Sequence, residues 1–263
     1  MAFRLWQDLT TTEFSALDTG AAVAVLPISA TEQHGPHLPI GTDAMIAAGM
    51  LGEVEAILPE GTRLVVLPAM SVGASLEHRD FAGTLSVPSA GLADQIVAIA
   101  HGVRAANLQK LVIVSSHGGN VAAMTDAALR CRAELAMLAV NLTWARLGLP
   151  EGLVGSDERA FGVHGGFVET SLMLHFRPDL VKMDRAQSFT SLQHRLAADC
   201  DMLRAYGPVG FGWLAQDLNS EGVVGDAAAA DAEAGRAIAA FQASRFVRLA
   251  EEVARADLNL LLR

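Results

Sequence analysis

Leu111-Val-Ile-Val-Ser-Ser-His-Gly-Gly-Asn120 changes character halfway along. Leu111–Ser115 is short, apolar and β-branched, as a strand buried on both faces should be. A polar turn follows, and Val121–Leu135 then carries helical spacing. The alternation recurs on either side. Further strands are expected at Ala22–Ile28, Arg63–Leu67 and Ala136–Leu142. Helices are expected at Asp43–Leu58 and Pro88–Ala106, where Pro at the start loses no hydrogen bond. Another helix begins near Thr170 and runs to Phe176, and Pro178 should end it. Ala227–Leu258 reads as one long terminal helix or a kinked pair. Strands alternating with helices imply an α/β protein with parallel strands and helices on both faces. In such sheets ligands bind at the carboxyl ends of the strands.

The chain has 263 residues, which suits a single domain spanning 1–263. About half of them (51%) are apolar and 18% are charged, so a large core can form without disulfides. Cys131 and Cys200 are far apart and suggest neither a disulfide nor a thiolate metal site. A mean hydropathy of +0.33 suggests that some apolar surface is covered in a homo-oligomer. The formal net charge of −10, with no basic cluster, argues against nucleic acid and anionic membranes as partners. No uncharged apolar run is long enough for a membrane span. The first residues, MAFRLWQDLTTTEF, resemble no signal peptide, so a cytoplasmic location is expected.

Three polar segments carry chemistry. They are Ser29-Ala-Thr-Glu32-Gln-His34-Gly-Pro-His37-Leu-Pro-Ile-Gly-Thr-Asp43, then Ser115-Ser-His117-Gly-Gly-Asn120, then His164-Gly-Gly-Phe-Val-Glu169-Thr-Ser. The first two follow expected strands, so the fold should bring them to one edge of the sheet. Imidazole and carboxylate side chains in this company suit Zn²⁺, Mn²⁺ or Fe²⁺. Glu32 and His34 share a face if the segment is extended. Asp43 opens a helix, where its charge is favoured.

Taken together, the three segments resemble the creatininase (creatinine amidohydrolase) family. Gly73-Ala-Ser75-Leu-Glu77-His78…Phe81-Ala-Gly83-Thr84-Leu-Ser86 and Gly222-Val-Val-Gly225-Asp226 resemble two further family segments, in the expected order. The resemblance implies a three-layer α/β/α sandwich with a mostly parallel central sheet. It also implies an amidohydrolase in which two divalent metal ions per subunit (Zn, Mn or Fe) activate a hydroxide that hydrolyses a C–N amide bond. Glu32, Asp43 and His117 would hold one ion; His34 and a bridging Asp43 would hold the other. The family's creatinine-hydrolysing members complete the second site with a Glu two residues after the central His. Gly119 stands there in this chain, and Glu169 is the expected substitute. His164 and Glu169 are the expected catalytic residues, with His164 moving the proton because its ordinary pKa is near neutrality. Ser75, His78, Ser116 and Asn120 are expected around the substrate. Assembly as a homohexamer is a further implication.

Creatinine itself fits less well than a related small amide. Ala160 replaces a tryptophan that covers the flat ring in creatinine-hydrolysing members, and Trp144 is not at the other expected position. A formamidopyrimidine-type deformylase, a mycofactocin-type peptidase and a non-catalytic, metal-stabilised member remain as alternatives. A nucleotide-binding loop at Ser115–Asn120 is disfavoured by the lack of a Walker lysine or a G-x-G-x-x-G pattern. His37 is expected to support the loop or a ligand. His175 is expected at the surface or an interface, while Cys131 and Trp6, Trp144 and Trp213 are expected to be packing residues.

Overall fold

The computed structural model describes residues 2–261. Five strands form one sheet: β1 (Phe3–Leu5), β2 (Ala22–Ile28), β3 (Arg63–Val66), β4 (Lys110–Ser115) and β5 (Leu138–Thr143). Their order is β1-β3-β2-β4-β5 and every pairing is parallel. The helices are α1 (Thr11–Ser15), α2 (Thr42–Ile57), α3 (Ser89–Ala105), α4 (Val121–Leu135), α5 (Ser156–Phe161), α6 (Phe167–Phe176), α7 (Leu192–Asp199), α8 (Ala215–Leu218) and α9 (Ala232–Arg255). A small antiparallel pair, β6 (Ser188–Phe189) with β7 (Gly225–Asp226), stands apart from the main sheet. No helix among the described residues is long and apolar enough to cross a membrane.

Alternation along the strands builds three layers. Ala22, Ala24, Leu26 and Ile28 of β2, with Leu111 and Ile113 of β4, pack on Leu92 and Ile96 of α3 and Met124 of α4. Their neighbours Val23, Val25, Val112 and Val114 face the other way, onto Ile46 and Met50 of α2, Leu172 of α6 and Phe246 of α9. Cys131 lies in the first of these cores as a free thiol. Trp144 lies in the second, 5.0 Å from the Phe246 ring.

The chain moves from β2 to β3 in one direction, then returns past β2 to β4. Right-handed crossovers in opposite directions place α2 and α3 on opposite faces. Their flanking loops diverge above the carboxyl ends of β2 and β4, and this gap is the switch point of the sheet. Pro27 sits in β2 beside Val114. Its carbonyl accepts from Met70 N at 3.0 Å. Its missing N–H therefore faces the same side, where the β3 ladder has ended at Val66, so a proline is tolerated in a central strand.

The element boundaries differ from expectation where local signals are weak. Pro88 precedes α3 rather than opening it. Strand β5 begins two residues late, because Ala136 closes α4 in the left-handed conformation (φ 54°). The terminal helix is continuous from Ala232, where Asp231 caps Ala234 N at 2.8 Å. Ala227–Ala229 is a separate 3-10 turn.

Candidate metal centre and active site

The loop after β2 carries Glu32, His34 and His37 and leads into α2, whose first turn holds Asp43. The loop after β4 carries His117, next to the 3-10 turn Gly118–Asn120. The first turn of α6 carries Glu169, and His164 lies just before it. These elements meet at the switch point. Glu32, His34, Asp43 and His117 are all buried.

Potential ligand atoms gather there in groups whose members lie within 4.8 Å of one another. One group is Glu32, Asp43 and His117, a second is His34, Asp43 and Glu169, and a third is Glu32, His34 and His164. Asp43 belongs to the first two. Its Oδ2 lies 3.7 Å from His117 Nδ1 and its Oδ1 lies 3.7 Å from His34 Nε2. Glu32 Oε1 is 3.0 Å from His117 Nδ1, and Glu169 Oε2 is 3.8 Å from His34 Nε2.

The hydrogen bonds on the far side of each ring fix which nitrogen faces the carboxylates. His117 Nε2 lies 3.1 Å from the Ala74 carbonyl, which can only accept, so the proton sits on Nε2. His34 Nδ1 lies 3.1 Å from the Glu32 carbonyl and carries the proton for the same reason. The other nitrogen of each ring then turns a lone pair toward buried carboxylate oxygens. His34 Nε2, both Glu32 oxygens and Asp43 Oδ2 have no hydrogen-bond partner among the described residues. Buried lone pairs facing one another require protons or cations between them. The donor set is oxygen and imidazole nitrogen, which suits divalent Zn or Mn. The residues present therefore fit a metal.

Without metal, protons do this work. Burial opposes charge on His117, yet Glu32, Asp43 and Glu77 push its pKa up to about 10. Burial likewise opposes charge on His34, and Asp43 and Glu169 push it up to about 9. Burial would raise Glu32, but His117, His164 and His78 hold it well below the usual carboxylate range. Burial raises Asp43, against the pull of His34. Burial also raises Glu169 to about 7, again against His34. Metal binding must displace these protons, so loading is pH-dependent.

No sequence signal marks Gln33, yet it organises two of the histidines. Its Nε2 donates to His78 Nδ1 at 2.8 Å and to the Gly222 carbonyl at 2.8 Å. Its backbone carbonyl accepts from His164 Nε2 at 2.8 Å. That leaves His164 Nδ1 unprotonated, 3.8 Å from Glu32 Oε1. Burial, with His34 and His78 nearby, keeps the His164 pKa well below its ordinary value. His164 is therefore a neutral base in this environment, rather than the half-charged imidazole that its ordinary pKa suggests.

Glu77, next to His78 in the segment Ser75–His78 that the resemblance singles out, also supports the centre. Its Oε1 lies 3.4 Å from His117 Nε2, beside Ala74 O. A Cβ at Gly119 would lie 2.3 Å from His117 Nε2, 2.4 Å from Glu77 Oε1 and 2.5 Å from Ala74 O. No side chain fits at position 119 while Glu77 is in place.

The residues expected around the substrate divide. His78 is buried with Nε2 3.5 Å from Glu32 Oε1, and Ser75 Oγ is 3.4 Å from His117 Nε2. Asn120 acts elsewhere, since its Nδ2 donates to Ser29 O and Ser115 Oγ, and its Oδ1 accepts from Ala74 N. Every polar atom of its amide is engaged, so it holds three loops together instead of reaching a substrate. Ser116 Oγ donates to Asp43 O at 2.7 Å and steadies the start of α2. His37 is fully buried, with Nε2 3.0 Å from Gly165 O and 2.9 Å from Thr170 Oγ1, so it ties the first segment to the third. His175 pairs with Glu53 at 3.2 Å between α6 and α2.

A parallel three-layer sandwich with a buried imidazole–carboxylate cluster at its switch point defines the class, an α/β protein whose donor set suits a divalent metal. A family model described as creatinine amidohydrolase matches residues 7–250, and the chain belongs to the creatininase family. It is 33% identical over 238 residues to a mycofactocin precursor peptide peptidase of Mycobacterium ulcerans, covering 88% of this chain and 85% of that one. The counterpart from Mycolicibacterium smegmatis is 34% identical over 179 residues; the match covers 67% of this chain and 66% of that protein, just under two thirds of its length. A creatinine amidohydrolase of Pseudomonas putida is 29% identical, over 68% of this chain and 74% of that one. Among solved structures, a creatininase variant superposes with a TM-score of 0.77 at 23% identity, covering 96% of this chain and 99% of that one. A manganese creatininase superposes with a TM-score of 0.74 at 21% identity, covering 96% and 99%. At these identities the superpositions establish the α/β fold.

Proposed function

We propose that this protein is a metal-dependent amidohydrolase that binds two divalent cations per chain and hydrolyses the C–N bond of a small amide or short peptide. The carrying observation is Asp43, whose two carboxylate oxygens face two separate imidazole nitrogens, each turned lone pair first toward buried carboxylates. Glu32, Asp43 and His117 would hold one cation; His34, Asp43 and Glu169 would hold the other. Glu169 thus substitutes for the carboxylate that Gly119 cannot carry. Two bound divalent ions would supply a nucleophilic water at neutral pH and an electrophile for the carbonyl oxygen.

The remaining steps belong to the chain. Gln33 holds His164 so that Nδ1 is the free nitrogen. His164 takes the proton of the attacking water and returns it to the departing nitrogen as the C–N bond breaks, giving an acid and an amine. Glu169, held by Gly165 N at 2.5 Å, is fixed toward His34. Relatives named as peptide peptidases at 33–34% identity favour an acyclic peptide over creatinine. Exposed Ile40, Leu76 and Leu85, in the loops beside the site, support a homo-oligomer in which these side chains are covered.

Elemental mass spectrometry tests this reading directly. About two Zn, Mn or Fe per chain are expected, and Asp43→Ala should lose both metal and hydrolysis. Full metal content and activity in Asp43→Ala would overturn it.

A further inference from the structure

A cavity of about 280 Å³ opens onto His164 and Glu169. Leu149, Val154, Val163 and Val168 give it an apolar wall. Two charged residues at its edge hold backbone groups. Glu158 accepts N–H groups from Phe167 at 2.9 Å and Asp226 at 2.8 Å. Arg159 donates to the carbonyls of Val154 at 3.1 Å and Pro150 at 3.2 Å.

Gln242 of α9 also lines this cavity and is 1% exposed. Its Nε2 donates to the Gly148 carbonyl at 3.0 Å, which fixes the orientation of the amide. Its Oε1 has no hydrogen-bond partner among the described residues. Buried acceptors are rarely left unpaired, and the residue that carries this one lines the cavity, so a ligand N–H that displaces the wall slightly would meet an acceptor there.

We propose that this cavity is a side-chain subsite for amide substrates that carry an aliphatic or aromatic group beside the scissile bond and an N–H that donates to Gln242 Oε1. The proposal rests on the amidohydrolase reading and names its substrate class: a short peptide with an apolar residue at this position. At about 30 Å³ per water, the cavity has room for about nine waters, enough for a side chain the size of Leu or Phe. A charged side chain would lose part of its hydration against this apolar wall.

The test uses metal-loaded full-length protein and tripeptides Ala-X-Ala with X as Leu, Phe, Lys or Glu, read by mass spectrometry. The expected kcat/KM for Leu and Phe exceeds that for Lys and Glu by at least about tenfold. Val163→Glu and Leu149→Glu should each reduce the ratio to below about threefold with metal content unchanged. Gln242→Leu should raise KM for the Leu peptide. Equal rates across the series, or an unaltered ratio in both Glu variants, would overturn the subsite and leave the amidohydrolase reading intact. If no peptide is cleaved, saturation-transfer NMR with N-acetyl-leucinamide and N-acetyl-lysinamide decides. Selective binding of the Leu compound, lost in Val163→Glu, supports the subsite and faults the reaction instead. No selective binding overturns the subsite.

Discussion

Gly119→Ala adds one methyl group next to the His117 ring. The new carbon would come within 2.3 Å of His117 Nε2, 2.4 Å of Glu77 Oε1 and 2.5 Å of Ala74 O, where ordinary contact begins at 3.4 Å. Each neighbour must retreat by about 1 Å. Glu77 can swing outward, but Ala74 O is backbone and is held in place by Asn120, which bonds Ala74 N. His117 must therefore move, and it carries one corner of the proposed metal centre. Overpacking of this kind costs about 1–3 kcal/mol. At about 2–4 °C per kcal/mol for a chain of this size, the metal-free protein should melt about 2–12 °C lower. Displacing a ligand by loss of its support typically weakens metal affinity about 10–100-fold. The stabilisation gained from a given excess of Zn²⁺ should then shrink by about 1.4–2.7 kcal/mol. Thermal melts in chelator and across a Zn²⁺ titration read both effects. Gly118→Ala is the control, because a Cβ there meets nothing within 4 Å. If Gly119→Ala melts and binds Zn²⁺ like Gly118→Ala, the assignment of His117 and its supports is refuted.

Other outcomes follow from the same geometry. Glu169→Gln should lower metal content from about two ions per chain to about one, since Glu32, Asp43 and His117 remain; elemental analysis after dialysis checks this. Burial lowers the His37 pKa to about 4 from an ordinary 6.5. Above 6.5 neither folded nor unfolded chain binds that proton, whereas between 6.5 and 4 only the unfolded chain does. Stability should therefore fall as pH drops through this window, by up to about 1.4 kcal/mol per unit for this group. Urea melts of the metal-free protein from pH 7.5 to 4 should show a shallower decline for His37→Gln, and an equal decline would count against the buried neutral ring. Phe246→Ala, at a fully buried position against Trp144, should cost about 3–5 kcal/mol with Zn²⁺ stoichiometry unchanged in the cold. A loss below about 1 kcal/mol would mean that α9 is not packed on the sheet as described.

The central strands were legible because every residue of Ala22–Ile28 and Lys110–Ser115 is buried, leaving uninterrupted apolar runs. The edge strand β1 was not, since three residues carry no period and its pairing with β3 is long-range. The short helices α5, α7 and α8 and the β6–β7 pair escaped for the same reason. Helix α6 starts three residues before Thr170 because Gly166 opens it without a side-chain cap, so no local signal marks the boundary. At the site, the dense runs of His, Asp and Glu marked the candidate ligands, and the resemblance to the creatininase family supplied their proposed division between two ions. Gln33 and Gln242 were hidden, because their roles lie in what they face. Gln33 bonds partners 45 and 189 positions away. The chemical state of His164 was equally hidden, since burial and neighbouring histidines set it.

The cavity wall and the ligand cluster draw mostly on different stretches of chain and meet at His164 and Glu169. The cluster hangs on the ends of β2 and β4 and the first turns of α2 and α6. Most of the wall comes from the single stretch between Ala145 and Val163, with Gln242 reaching in from α9. Inheritance can therefore rewrite one without disturbing the other. A lineage could drift from one amide to another by changes confined to that stretch, keeping its catalytic machinery intact throughout. A laboratory library restricted to those same positions would explore substrate choice in a population whose members remain able to load metal.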